Sequence, residues 1–320
     1  GAYTLFVRSS ETNAQYPYDP DMTGAFWFSY KKDASASAVG GAEAPASVQE
    51  GPLDAAVSAA LWDFVKQQSF YEDNSAWFWC ESHVILDRQS GPAESGENAD
   101  QLTAYAVAAY KAYDISDQGL TVQWSWNIPA AAITFTVTDG DTYTLTDFWV
   151  PRDGAYYEKD VLNQLPQSLW EDVNDIQRRE EHSLALDQAC YAQAVEYSEA
   201  VIAQLFETIG SSPAESSFPW DYINAHDTEH QELIDYGDCT LRYIYSQFLA
   251  GGQTGLKGQE NALSDELIGG EAIKLAADTG QEYFDAWLTV ARRVQAAQGD
   301  TFMQEHMPKA WMLLQMTDSQ

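Results

Sequence analysis

The sequence has little positive charge. Its 320 residues include 16 lysines and arginines against 49 aspartates and glutamates, which gives a net charge of −33. Nucleic acids and anionic membrane surfaces are bound through clusters of basic side chains, so this composition argues against both as partners. An acidic excess is typical of a soluble protein in an extracellular or salty medium, and Ca²⁺ binding by the carboxylates is the alternative interpretation.

Cysteines and long apolar runs are also scarce. The three cysteines, Cys80, Cys190 and Cys239, leave at least one free thiol, and their spacing does not assign a bridge between the other two. No run of 18 apolar residues is present, so the sequence predicts no membrane insertion by this segment. Because Gly1 stands where a translated chain begins with Met, we expect that a leader or an N-terminal membrane anchor has been removed.

The apolar spacing changes along the chain from the period of strands to the period of helices. A first helix is predicted at residues 53–68, where apolar residues recur at i, i+3, i+4 and i+7. Alternating apolar runs separated by tight turns then predict antiparallel strands at residues 76–87, 103–113, 121–138 (with a break or bulge at Pro129) and 143–149. We therefore predict an α+β fold, in which a helix packs on a four-stranded antiparallel meander and an all-α helical module follows.

Three segments are predicted. Residues 1–52 contain two runs of strand composition, Tyr3–Val7 and Phe26–Tyr30, followed by a flexible linker rich in glycine, alanine and serine. Residues 53–160 form the antiparallel-sheet module, and residues 161–320 form the α-helical module. In the second half of the chain, helices are expected at residues 160–176, 184–209, 227–250, 260–267, 281–297 and 307–316.

A distinctive motif lies where the last strand meets the helices. Residues 143–157 read YTLTDFWVPRDGAYY, close to the pattern Tyr-x-Leu-x-x-Tyr-Trp-x-Pro-Arg-Asp-Gly-x-Tyr-Tyr with Phe148 as the one departure. Together with DAAVSAAL, CESHVIL and PAAAITF before it and GGQTGLKG after it, the motif resembles the C-terminal extracytoplasmic region of BlaR-like membrane metallopeptidases. These are the beta-lactam-sensor, antirepressor-type proteins of gut Firmicutes, and the similarity covers roughly residues 53–285.

The resemblance implies a secreted, membrane-anchored or lipoprotein domain at the cell surface that acts as a sensor. It does not imply peptidase activity, because the chain lacks the H-E-x-x-H motif of the peptidase part. We therefore expect a non-enzymatic sensor or ligand-binding domain whose partner is a small molecule, a glycan or a protein. A secreted carbohydrate-active enzyme and a structural surface or adhesion domain remain as alternatives.

The catalytic and metal-binding motifs are incomplete, so we predict no catalytic residue, no metal site and no cofactor. His226 and His230 have the i, i+4 spacing of metal ligands, but the glutamate of a zinc peptidase and a third ligand are missing. The S-x-x-K match at Ser29–Lys32 lacks an accompanying K-T-G. Cys80 and His83 are three apart in a strand, so they point to opposite faces and do not form a nucleophile pair.

Five residues are candidates for ligand binding. Trp124 and Trp126 are two apart and share one face of a strand, where they can form a stacking platform for sugar rings or an apolar ligand. Core packing is the alternative for both. Trp149, Arg152 and Asp153 lie at the end of the last strand and can line a pocket. The alternative for Arg152 and Asp153 is a partly buried bidentate ion pair and a helix cap that join the sheet to the next helix.

Overall fold

A computed structural model describes residues 51–68, 71, 77–92, 100–117, 119–212, 216, 218–251, 258–273, 277 and 279–318. The strands predicted at Tyr3–Val7 and Phe26–Tyr30, most of the predicted linker, and the Ser29–Lys32 motif lie outside these residues. The helices and strands are α1 (Pro52–Lys66), β1 (Phe78–Pro92), β2 (Asp100–Ser116), β3 (Gly119–Thr138), β4 (Thr142–Trp149), α2 (Tyr157–Gln164), α3 (Trp170–Asn174), α4 (Ile176–Gly210), α5 (Pro219–Ala225), α6 (Asp227–Asp235), α7 (Gly237–Leu249), α8 (Gly258–Ile268), α9 (Gly280–Gln298), α10 (Asp300–His306) and α11 (Pro308–Asp318).

The four strands form one antiparallel sheet in the order β1-β2-β3-β4. Asp139 and Gly140, in the turn between β3 and β4, both have positive φ, a conformation that aspartate and glycine tolerate well. The pairing of β2 with β3 shifts register beside Pro129, where a residue without an N–H is accommodated in a bulge. The predicted α+β fold, with a four-stranded antiparallel meander followed by helices, is confirmed.

Helices cover both faces of the sheet. α1 packs on one face through Val57, Leu61 and Val65. α2, α3 and α4 cover the opposite face with an apolar cluster that includes Val161, Leu169, Val173, Leu186 and Cys190. Residues 104–110 of the central strand β2 are buried without interruption, because a strand covered on both faces has no side that is open to water.

The helices after the sheet enclose a second core around Trp287, and α4 belongs to both cores. Leu186, Cys190 and Ala194 of α4 pack toward the sheet, whereas Ile202 and Phe206 pack among the later helices. The predicted boundary between modules at residue 160 stays a prediction. Among the described residues, none of the helices combines the length and apolarity that crossing a membrane requires.

Several helices differ from the sequence prediction, and α4 begins at Ile176 rather than at residue 184. The single helix expected at residues 227–250 is divided into α6 and α7, and the break lies at Tyr236 and Gly237. Gly237 has φ +46°, and an added Cβ would overlap the backbone of Asp117 in the turn between β2 and β3. The helix expected at residues 160–176 is divided around Pro166, and the short helices α5 and α10 were not predicted.

Candidate functional site

The α1 helix lies antiparallel to β1, and matching rows of side chains meet between them. Asp54, Ser58 and Trp62 follow one another at intervals of four residues, so they share one face of the helix. His83, Glu81 and Trp79 alternate along β1 and share the sheet face that α1 covers. Asp54 meets His83, Ser58 meets Glu81, and Trp62 and Trp79 line a common pocket.

The middle of this interface is a buried polar row. Ser58 Oγ donates to Glu81 Oε2 at 2.6 Å, and His83 Nδ1 lies 3.0 Å from Glu81 Oε1. His83 Nε2 lies 3.5 Å from Asp54 Oδ1, and the side chains of His83 and Glu81 are only 6% and 5% exposed. Burial lowers the pKa of His83, but the hydrogen bond and charge of Glu81 and the charge of Asp54 raise it by more, so it lies above the ordinary value of 6.5.

One helical turn further along α1, the interface opens into a pocket of about 460 Å³. Among the described residues, its lining comes from the second half of α1, from Tyr71 and from the start of β1; these lining residues are Ala59, Trp62, Asp63, Lys66, Tyr71 and Trp79. The three aromatic rings supply apolar walls, and the exposed charges of Asp63 and Lys66 lie at the rim. Apolar walls with a few polar groups are the usual composition of small-ligand sites.

The pocket walls rest on a continuous aromatic layer. The ring of Trp79 lies 4.9 Å from that of Tyr71 and 5.1 Å from that of Trp124, measured between centroids. The ring of Trp62 meets Tyr110 edge to face at 5.4 Å. Aromatic rings lose little entropy when they are fixed, so packing on this layer holds the walls in place before any ligand arrives.

Two buried donors in this layer have no hydrogen-bond partner among the described residues: the indole Nε1 of Trp79 and the hydroxyl of Tyr110. Burial, together with the charge of Glu81, raises the pKa of Tyr110 well above 10, so its hydroxyl keeps its proton. Unpaired buried donors are uncommon and costly in native proteins, and each requires a physical explanation. Both residues contact the pocket layer: Trp79 lines the pocket and Tyr110 packs against Trp62.

The five residues proposed from the sequence do not line one pocket. Trp124 and Trp126 share a face, as predicted, and both pack in the aromatic layer beneath α1, with Trp124 against the pocket residue Trp79. Trp149 packs on the opposite face of the sheet, with the cluster of α2, α3 and α4. Arg152 and Asp153 are exposed beyond the end of β4.

Arg152 forms the predicted bidentate ion pair, but it is not buried. Its Nε and Nη2 each donate to the carboxylate of Asp160 at 2.7 Å, while its side chain is 64% exposed. The partial burial expected for Arg152 is found only at its partner, because the Asp160 side chain, in the first turn of α2, is 13% exposed. Asp153 precedes the short 3₁₀ turn at Gly154–Tyr156, and its side chain makes no capping hydrogen bond.

The pocket residues themselves were missed in the sequence. Trp77, just before β1, and Trp79, within it, are two apart, which is also the spacing of Trp124 and Trp126. Trp62 falls on the α1 face that also carries Asp54 and Ser58. These spacings do not show which tryptophan side chains remain partly exposed beside the helix. That depends on where α1 crosses the sheet.

Outside the interface of α1 and β1, a second serine and histidine lie within hydrogen-bond distance of each other. Ser212 Oγ lies 2.8 Å from His226 Nε2, but His226 Nδ1 is 3.8 Å from Glu229 Oε2, which is too long for a hydrogen bond that would orient the imidazole. His230 instead faces Glu266. In the part of the chain that the structure describes, no three potential ligands are arranged to hold a metal ion.

The thiol of Cys80 is separated from His83 by the sheet. Cys80 packs in the cluster on the α4 side, whereas His83 faces α1, as their spacing predicts. Burial and the nearby Cys190 raise the pKa of Cys80 to about 12, so the thiol stays protonated and weakly nucleophilic at neutral pH.

Comparison of the chain with protein-family models, with curated proteins and with solved structures found no match. The resemblance to the extracytoplasmic region of beta-lactam-sensor proteins therefore stays a prediction from the sequence motifs.

Proposed function

We propose that this chain is a non-enzymatic ligand-binding domain, with a sensor role, which takes a small ring-bearing ligand between α1 and β1. The observation that carries the proposal is the pocket of about 460 Å³ with walls formed by Trp62, Tyr71 and Trp79. Its volume lies within the range usual for small-molecule sites, and the charged lining residues Asp63 and Lys66 are exposed at the rim.

The chemistry of the neighbouring groups supports binding rather than catalysis. Glu81 and His83, the joined acid–base pair of the neighbouring polar row, are almost completely buried, and they face Ser58 and Asp54. A general acid or base must reach the proton that it transfers, and these groups do not line the pocket. The proposal accordingly assigns the row formed by Asp54, Ser58, Glu81 and His83 to holding α1 on the sheet.

The proposed location is extracytoplasmic, in a secreted or membrane-anchored protein. Two observations support it: the net charge of −33 and the motif resemblance centred on residues 143–157. An acidic surface keeps a protein soluble and suppresses binding to nucleic acids, which fits a domain that meets small molecules in an open medium.

The proposal can be tested by NMR of protein labelled with ¹⁵N in the tryptophan indoles. The 11 tryptophans give distinguishable indole N–H signals, which single Trp→Phe variants assign. We expect members of a library of ring-bearing small molecules to shift the signals of Trp62 and Trp79. Trp220 is the internal control, because it is 44% exposed and lies on α5, an element that packs among the later helices.

A library whose members leave the Trp62 and Trp79 signals in place would reject the pocket and favour a structural surface domain. Compounds that shift Trp220 to the same extent as Trp79 would also reject it, because they would reveal nonspecific adsorption to exposed indoles.

A further inference from the structure

We infer that the pocket between α1 and β1 selects a neutral, hydroxyl-rich ring such as a pyranose unit of a glycan. The inference rests on the proposed function and adds the chemical class of the ligand. It follows from three features of the lining: the balance of its charges, the position of those charges relative to the aromatic rings, and the unpaired donor on Trp79.

The charges of the described lining residues balance each other. Asp63 and Lys66 are three residues apart in the last turns of α1, and both are exposed at the rim of the pocket. A ligand with a net charge of either sign would meet one attractive and one repulsive group at similar range. The field of the whole chain, with a net charge of −33, adds a further penalty for an anion. A neutral ligand avoids these penalties.

The aromatic walls suit a ring with an apolar face. Trp62, Tyr71 and Trp79 contribute their ring surfaces, and the planes of Tyr71 and Trp79 are tilted by 40° to each other. A pyranose ring presents C–H groups on its faces and hydroxyls around its edge. The C–H groups can pack on the indole and phenol rings while the edge hydroxyls point toward the rim.

The charged residues at the rim favour binding of a hydroxylated ring over a purely apolar one. An apolar ligand would cover Asp63 and Lys66 and remove their water without replacing the lost hydrogen bonds, which is unfavourable. Ring hydroxyls can donate to the Asp63 carboxylate and accept from the Lys66 ammonium. Lys66 Nζ lies 5.6 Å from the centroid of the Trp62 ring, so the ammonium is held over the aromatic wall, beside the space that such a ring would occupy.

The buried indole nitrogen of Trp79 is a further donor at the same place. It has no hydrogen-bond partner among the described residues, although its side chain lines the pocket. Hydroxyls therefore provide the acceptor that this donor lacks, which neither an aliphatic ligand nor an organic cation can do.

Probes of four chemical classes separate the possible kinds of ligand. The neutral hydroxylated probes are methyl β-D-glucopyranoside and the tetrasaccharides of glucose, N-acetylglucosamine and xylose. Benzenesulfonate represents an anionic ring, phenyltrimethylammonium a cationic ring, and benzyl alcohol a largely apolar ring. Each is titrated against the Trp62 and Trp79 indole signals. We expect at least one tetrasaccharide to bind at least about tenfold more tightly than either charged probe.

Variants at the rim test the charge balance without disturbing the core. Asp63→Asn removes the negative charge that opposes Lys66 among the described lining residues and keeps a hydrogen-bonding side chain, so benzenesulfonate binding should strengthen by a larger factor than glycan binding changes. Asp63→Ala removes the hydrogen-bonding group and should weaken the glycan by about tenfold. Glu180→Gln, an exposed acid on α4, is the matched control and should change neither affinity.

The outcomes distinguish this inference from the proposed function. If a charged probe or benzyl alcohol shifts the Trp62 and Trp79 signals and none of the saccharides does, the glycan assignment is overturned while the binding pocket stands. If saccharides bind but Asp63→Ala has no more effect than Glu180→Gln, the assignment of the rim is overturned. If neither these probes nor the small-molecule library shifts the two signals, both proposals fail.

Discussion

Glu81 and His83 lie two residues apart on β1 with their side chains joined, His83 Nδ1 being 3.0 Å from Glu81 Oε1 beneath α1. Ser58 of α1 bonds the other oxygen of the same carboxylate at 2.6 Å. These hydrogen bonds fix the position of α1 on the sheet. The same helix carries Trp62, Asp63 and Lys66. The polar row and the aromatic pocket therefore belong to one interface.

Removal of the central carboxylate should loosen that interface. Glu81→Ala leaves the Ser58 hydroxyl and the His83 ring without their shared partner in a nearly dry environment. We expect the free energy of unfolding to fall by about 3 kcal/mol, as for other broken buried pairs. Urea denaturation followed by circular dichroism measures it. Glu180→Ala, at an exposed position of α4, is the control. If Glu81→Ala lowers the free energy of unfolding no more than this control does, the assigned role of Glu81 is contradicted.

The raised pKa of His83 predicts a pH dependence of stability. Because the folded state holds the His83 proton more tightly than the unfolded state, the folded protein binds more protons between the ordinary pKa of 6.5 and the raised one. The stabilisation is therefore complete below pH 6.5 and is lost as pH rises through the raised pKa. Asp54 of α1 and Glu81 of β1 are the carboxylates that face the ring, and the Tyr110 hydroxyl of β2 stays neutral.

Urea denaturation of the wild type and of His83→Gln at several pH values between 5.5 and 9 tests this dependence. The wild type should lose its stability advantage over the variant as the pH rises. A difference between the two proteins that stays constant over this range, or grows with pH, would show that the imidazole is not held in its charged form.

The two partners of the ion pair between Arg152 and Asp160 should contribute unequally to stability. Asp160 accepts from the Arg152 backbone N–H at 3.1 Å as well as from the guanidinium, so its removal breaks more bonds than removal of the arginine side chain. We expect Arg152→Ala to lower the melting temperature by about 1–2 °C and Asp160→Ala to lower it by more. Differential scanning calorimetry measures both. A larger loss for Arg152→Ala than for Asp160→Ala would contradict this assignment.

Gly237 should be far less tolerant of substitution than other glycines with positive φ. Its φ is +46°, and a Cβ would overlap the backbone of Asp117, whereas Gly269 has φ +60° with no heavy atom of the described residues within 4 Å of the added carbon. Gly269→Ala should cost about 1–2 kcal/mol from backbone strain alone. Gly237→Ala should cost at least about 3 kcal/mol, because α7 must also move away from the turn between β2 and β3. Chemical denaturation of both variants checks the difference, and equal losses would contradict the close contact.

Local patterns were sufficient for the order of the elements. Alternation and turn chemistry placed the four strands, and Pro129 marked the bulge in β3, because these features depend on neighbours in the chain. The break between α6 and α7 could not be placed locally, since Gly237 is required by the turn at Asp117 rather than by its own helix. Helices as short as α5 and α10 are also weakly encoded, because so few residues do not form a stable helix alone.

In the candidate site too, some features could be predicted from the local sequence and others could not. Residue spacing by itself determined that Trp124 and Trp126 share a face and that Cys80 and His83 do not, because the side-chain period of a strand is a local property. Only the tertiary structure decided that Trp62 and Trp79 border a pocket while Trp149 faces other helices. The position at which α1 crosses the sheet is set by the packing of Leu61 and Val65 and by the buried bonds of Glu81, contacts between residues distant in the chain. The spacing of residues in the sequence does not identify which distant residues make such contacts.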